Sequence, residues 1–451
     1  MSALAGAAQS REPRWIDARP KGGKEWKARE TRTLADVPLG DAAVAAQTRF
    51  GGLAAEPRTK TGFFRVEEVN GRWWIIDPEG GRFVFNGVAS VRPYSRFGAK
   101  EVFARRFGSN ERWAEQTLDQ FRDLGIRGIG GFSDYRTLRH VPKPMPYTVT
   151  LNLMSGFGRK LGLTHPQPGH TGYEDDCLPV FDPDFPRYCA TVCREQLGAM
   201  KDDPWLVGCF SDNEMPIARD MLDRMLKMDG RRESLKPMRD GAEEWLSKRG
   251  VPPAKITDAD RKAFVEHVYE TYFRITTSAI RAALPYHLCL GSRFHGPAVA
   301  CEPVWRAAGR WCDVISINYY NVWTPKTGHL RDWYAWSGKP CLITEFYAKG
   351  ADSGMANSSG AGWEVKTQAD RGAFYQNFTL ALLESKTCVG WHWFKYMDND
   401  PADSSSDPSN TDSNKGMYNI RYEPYQPLLD SMRELNGKVY PLIRHFDRLG
   451  P

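Results

Sequence analysis

From Gly62 onward, short apolar runs alternate with longer stretches of mixed polarity. GFFRVEEV, the Asn70-Gly71 turn signal, RWWIID and the turn Pro78-Glu79-Gly80-Gly81 predict a β-hairpin over 62–80. Eight apolar runs then follow: RFVFNGVAS (82–90), GIRGIGGF (125–132), YTVTLNL (147–153), WLVGCFSD (205–212), HLCLGSRF (287–294), DVISINYY (313–320), PCLITEFY (340–347) and CVGWHWF (388–394). Helical patterns separate them near 100–124, 134–140, 184–201, 298–309, 329–336 and 364–386, and a last one spans about 425–444. A longer helical insertion occupies 217–284 and breaks at Gly250-Val251-Pro252-Pro253.

The runs are nearly continuous in apolar residues, as in strands covered on both faces of a parallel sheet. A doubly wound sheet shares this signature. Eight strand-helix units over about 365 residues, with no Gly-x-Gly-x-x-Gly after the first strand, favour the α/β class and specifically a (β/α)8 TIM barrel. Residues 1–60 are polar, weakly periodic and rich in Ala, Gly, Arg and Lys, and read as an extended N-terminal arm or wrap. Residues 61–451 then form the catalytic barrel, with the β-hairpin at 62–80 as a cap and long loops at 155–183 and 398–416.

Composition narrows the function classes. The chain carries 61 basic and 55 acidic residues without a basic stripe, so no nucleic acid partner is expected. No run approaches the length of a membrane span, and no membrane partner is expected. The start MSALAGAAQSREPRW shows no signal peptide, which fits a cytoplasmic chain or one whose leader has been removed. The nine Cys include no CxxC pair, and Cys209, Cys289, Cys341 and Cys388 lie in apolar runs, so a disulfide framework is not expected. Fifteen Trp raise the aromatic share, which suits either core packing or stacking against sugar rings.

In a barrel of this kind, reactive groups belong at the carboxyl ends of the strands. Two carboxylates meet that condition: Asn213-Glu214 follows the fourth run and Glu345 closes the seventh. One such Glu reads equally well as a rim salt bridge. Two, on strands four and seven, face each other across the mouth and suit glycoside hydrolysis, where one carboxyl protonates the leaving oxygen and the other attacks the anomeric carbon. Arg293, just past the fifth run, is placed to supply positive charge or to make a structural rim contact. Trp391 and Trp393 flank His392, so alternation puts both indoles on one face of the last strand, with Trp393 nearer the carboxyl end as the floor for a sugar. Asn86 and His295 are further strand-end candidates for substrate binding, each with a structural alternative.

These segments carry a resemblance. Asn213-Glu214 with Glu345 resembles the signature of glycoside hydrolase clan A, a group of retaining (β/α)8 enzymes. GRWWIIDPEGGRFVFNGV (71–88), WLVGCFSDNE (205–214), LGSRF (290–294), DVISINYY (313–320), PCLITEFY (340–347) and WHWFKYMD (391–398) are similar to the family 50 β-agarases. The resemblance implies that Glu214 is the general acid/base and Glu345 the nucleophile. It further implies that Asn213 holds the hydroxyl next to the anomeric carbon and that Tyr320, whose structural alternative is a rim aromatic, hydrogen-bonds Glu345. The long agarases of that family carry a further domain before the barrel, whereas about 60 weakly patterned residues precede the Gly62 hairpin in this sequence.

The expected function is a retaining hydrolase of β-linked, agarose-like galactan, with an oligo- or polysaccharide as its partner and exo action favoured by the long loops. The alternatives are a β-galactosidase, a hydrolase of another β-glycan, or a glycan-binding barrel without turnover. No cofactor is expected. Asp398, Asp400, Asp403 and Asp407 lack EF-hand spacing and read as a solvated, flexible loop, and the nine His show no HExxH pair, so no metal is expected either.

Overall fold

A computed structural model describes residues 13–39, 46–94, 100–403 and 406–449. Parts of the expected arm (1–12 and 40–45) and of the 398–416 loop (404–405) lie outside the described residues.

All eight apolar runs contain strands: β1 (Phe85–Ala89), β2 (Gly128–Ile129), β3 (Tyr147–Thr150), β4 (Leu206–Phe210), β5 (Leu288–Cys289), β6 (Ile315–Asn318), β7 (Cys341–Phe346) and β8 (Cys388–Phe394). They form one curled sheet in the order β5-β4-β3-β2-β1-β8-β7-β6, and every pairing is parallel. The two end strands approach each other through a parallel bridge between Phe294 and Ile317, where the Phe294 N–H donates to Ser316 O at 2.8 Å and the Asn318 N–H donates to Phe294 O at 2.7 Å.

The sheet has two apolar faces, which is why its strands read as unbroken runs. Its inner face packs Phe85, Val207, Phe210, Leu290, Val314, Leu342 and Val389 together with Phe64, Ile75 and Phe83 from the hairpin region. The outer face joins a larger core with the helices. The hairpin is part of a three-stranded antiparallel sheet of Arg65–Val69, Arg72–Ile76 and Arg82–Phe83.

The two strands β4 and β5 pack closely at Gly208. A Cβ on Gly208 would lie 2.1 Å from the Leu288 carbonyl oxygen, which is backbone and has nowhere to move. Gly208→Ala is therefore expected to push β4 from β5 and to cost about 1–3 kcal/mol in thermal or urea unfolding. Gly198→Ala, with open space at its Cβ position, serves as the near-neutral control.

Three segments depart from the sequence reading. The N-terminal arm is not merely extended: Trp15–Arg19 and Lys27–Glu30 pair antiparallel, and Trp15–Arg19 also pairs with Trp363–Val365 from the connection after β7. The region 155–183, expected to be a loop, holds a helix (Leu153–Lys160) and a hairpin of Thr164–Gln167 and His170–Tyr173. The loop 398–416 is tied down rather than freely solvated. Asp398 accepts from the Lys415 and Gly416 N–H groups and the Tyr425 hydroxyl, and Asp407 accepts from the Gly169 N–H at the hairpin tip. The helical insertion matches expectation. Helix Lys236–Arg249 ends at Gly250 in the left-handed conformation, and Asp258–Ala283 starts from a Thr257 capping box.

Candidate active site

The carboxyl ends of the strands carry a concentration of backbone strain. Ser90, Phe132, Asn152, Glu214, Arg293 and Asn321 lie at or just after the ends of β1 through β6, and all have positive φ without being glycine. Each such residue costs on the order of 1 kcal/mol or more, which the surrounding contacts must hold in place. The Glu214 N–H is fixed at 3.2 Å from the Arg293 carbonyl, so two of these strained residues support each other.

Glu345 owes its direction to an irregularity in β7. Ile317 pairs with Ile343, but Asn318 pairs with Glu345, so β7 contains one extra residue at Thr344. Simple alternation from the inward Leu342 would turn Glu345 outward. The bulge instead lets Thr344 and Glu345 both meet inner-side partners, while Phe346 returns to the helix side.

Both carboxylates are buried, and one hydrogen-bond network joins them. Arg293, fully buried between Phe132 and Phe210, forms an ion pair with Glu345 Oε1 and donates from Nε to Asn213 Oδ1 at 2.8 Å. The Tyr320 hydroxyl donates to Glu345 Oε2. Glu214 Oε1 accepts from Asn318 Nδ2 at 2.7 Å, and the Asn318 amide is oriented by Thr344 Oγ1, 2.7 Å from its Oδ1.

The partners differ in charge. Burial raises both carboxyl pKa values above the ordinary Glu range. Against that, Glu345 has a guanidinium in direct contact and a phenol donor, whereas the donor on Glu214 is a neutral amide. A single proton shared by the pair therefore belongs on Glu214, leaving Glu345 as the anion.

His295 lies beside Glu214, together with His170 from the 164–173 hairpin. Burial lowers the His295 pKa to about 4 and also lowers that of His170, so both imidazoles are neutral near pH 7.

Trp391, Trp393 and Asn86 are not at the cleft. Both Trp side chains are 1% exposed and face the helices: the Trp391 indole donates to the Tyr375 hydroxyl, and Trp393 donates to Lys415 O. The inward side chain is His392, which Gly87 and Gly130 approach so closely that a Cβ on either would lie within 2.9 Å of its ring. An indole does not fit there. Asn86 is the second residue of β1, where it donates to Gly125 O and accepts from Arg127, a purely structural pairing.

Sequence reasoning missed Asn318, His170 and a group near the end of β8 made of Phe394, Tyr347 and Lys415. The Lys415 ammonium lies 4.8 Å from the Tyr347 ring centre and 5.5 Å from that of Phe394, and Phe394 is the partly exposed member. Burial pulls the Lys415 pKa down to about 7, while Glu345 acts against that shift. Asn318 carried the same signal that singled out Glu345, a polar residue ending an apolar run. His170 had none, because its hairpin is mostly polar and shows no regular alternation.

No family model matches the chain. Beta-agarase B of Vibrio sp. (strain JT0107) is 24% identical over 87% of this chain and 50% of its own length. Beta-agarase A of the same organism is 23% identical over 85% of this chain and 46% of its own length. The chain thus spans about half the length of these curated relatives. Among solved structures, the agarase AgWH50C shares the fold at a TM-score of 0.71 and 22% identity, covering 91% of this chain and 67% of its own. The crystal structure of BpGH50 superposes at a TM-score of 0.82 with 30% identity, covering 96% of both chains. On that likeness over 96% of its length, the chain belongs to glycoside hydrolase family 50.

Proposed function

We propose that this protein is a retaining glycoside hydrolase of the clan A type, built on a closed (β/α)8 barrel, that cleaves β-linked galactan of the agarose kind. The observation that carries the reading is the unequal treatment of two buried carboxylates in one network. Glu345, held by Arg293 and Tyr320, is the anion; Glu214, held by Asn318, keeps the proton.

In the first step Glu214 gives its proton to the glycosidic oxygen while a Glu345 oxygen bonds to the anomeric carbon, and the bond to the leaving sugar breaks. In the second, Glu214 as carboxylate takes a proton from water, whose oxygen displaces Glu345 from the same carbon. Two inversions give net retention, which requires carboxyl groups about 5–5.5 Å apart. In this reading Asn213, oriented by Arg293 Nε, holds the neighbouring hydroxyl. Agarase activity in the relatives supports galactan as the substrate class.

Assay of β-linked oligosaccharides tests the substrate claim. Release of short products from agarose oligosaccharides is expected. Cleavage of another β-glycan with no galactan cleaved would reassign the sugar while leaving the mechanism in place.

Arg293→Met tests the electrostatic asymmetry. Losing a charge-assisted contact to the nucleophile is expected to lower kcat/KM by about 10- to 100-fold. Arg293 lowers the Glu345 pKa, so its removal raises it further. Because the nucleophile must be ionised, activity is then lost at a higher pH on the way down, and the acidic limb of the kcat/KM profile moves up. An unmoved acidic limb would remove Arg293 from this role.

A further inference from the structure

We propose that His170, Glu214 and His295 form a binding site for a late-transition divalent cation such as Zn2+, and that an ion bound there silences the enzyme by occupying the carboxylate of Glu214. The site comes from three separate parts of the fold: the tip of the 164–173 hairpin, the turn after β4 and the segment after β5. One potential ligand atom from each residue lies within 4.8 Å of the other two.

Tetrahedral zinc with bonds of about 2.0–2.2 Å needs ligand atoms about 3.3 Å apart. The gaps, none wider than 4.8 Å, must therefore close by at most about 1.5 Å, which rotation of two partly exposed imidazoles can supply. The rings are already neighbours, with centroids 5.1 Å apart and planes inclined by 48°.

One donor is already free to take a metal. His295 Nδ1 is buried with no hydrogen-bond partner among the described residues. Two imidazoles and one carboxylate are the donor set of hydrolytic zinc sites with an open fourth position, whereas Ca2+ and Mg2+ prefer all-oxygen sets. Arg293 makes its side-chain contacts with Glu345 and Asn213, so no guanidinium N–H occupies the Glu214 carboxylate.

The inhibitory consequence rests on the reading of Glu214 as the proton donor; the binding does not. An ion on Glu214 takes the lone pair that must carry the proton and blocks both steps. Titrating the chelator-treated full chain with ZnCl2 by calorimetry requires no substrate. One equivalent is expected to bind, with affinity lowered at least about tenfold by His170→Ala and by His295→Ala. The exposed His140→Ala is expected to bind as the parent does, and circular dichroism verifies that each variant is folded. No zinc uptake, uptake unaffected by both substitutions, or equal uptake of CaCl2 would overturn the site. In the parallel assay, ZnCl2 is expected to abolish hydrolysis and EDTA to restore it. Full hydrolysis by the zinc-loaded chain would overturn the inhibition. Absence of hydrolysis under all conditions would count against the glycosidase reading and leave the binding result standing.

Discussion

Replacing Glu345 by Gln is expected to lower kcat by about 10⁴-fold or more, because the group that forms the covalent bond to the sugar is lost while the pocket keeps its shape. The fold should survive. The introduced amide still accepts from Tyr320 through its oxygen, and Arg293 keeps its Nε contact to Asn213. Glu345→Gly gives the sharper result: added azide fits the vacated space and attacks the anomeric carbon once, so an α-glycosyl azide is expected from a β-linked substrate with a good leaving group. A β-glycosyl azide from that variant would reverse the roles assigned to the two carboxylates.

Glu214→Gln is expected to reduce kcat/KM for oligosaccharides by about 10²- to 10⁴-fold, the usual range for a general acid. An aryl glycoside whose leaving group needs no proton should lose far less in the first step. The second step then lacks its base, so covalent glycosyl-enzyme accumulates and azide releases it as the β-glycosyl azide. The pH profile carries the same signature. Burial raises the Glu214 pKa, and the acid must be protonated, so activity is retained below that raised value and lost as pH climbs through it. The alkaline limb of the parent therefore lies above the range of an ordinary Glu and is absent from the Gln variant. Equal losses on activated and unactivated substrates would mean that Glu214 holds the sugar rather than donates a proton.

Strand order and candidate carboxylates were legible for a common physical reason. A strand buried on both faces must be apolar throughout, so a polar residue at its carboxyl end stands out. That contrast marked Glu345 and also marked Asn318, which was passed over inside DVISINYY. Alternation correctly set Trp391 and Trp393 opposite His392, but it does not say which face looks inward. That depends on the space between strands, and Gly87 and Gly130 packed on His392 leave room for an imidazole and not for an indole. The direction of Glu345 depends on a bulge, a property of the pairing of β6 with β7 rather than of either strand. The 164–173 hairpin was invisible because its residues are mostly polar and their burial does not alternate, giving no period of two to read. Its position follows from contacts distant in sequence, such as Asp407 on the Gly169 N–H.

Covalent trapping tests the two-glutamate reading most directly. The parent chain is inactivated with 2-deoxy-2-fluoro-β-galactosyl fluoride, which slows both steps but spares the first through its reactive leaving group, and is then digested and mapped by mass spectrometry. A single fluorosugar ester on Glu345 is the expected result. An ester on Glu214, or β-galactoside turnover whose first product is the α-anomer with no ester formed, would contradict it.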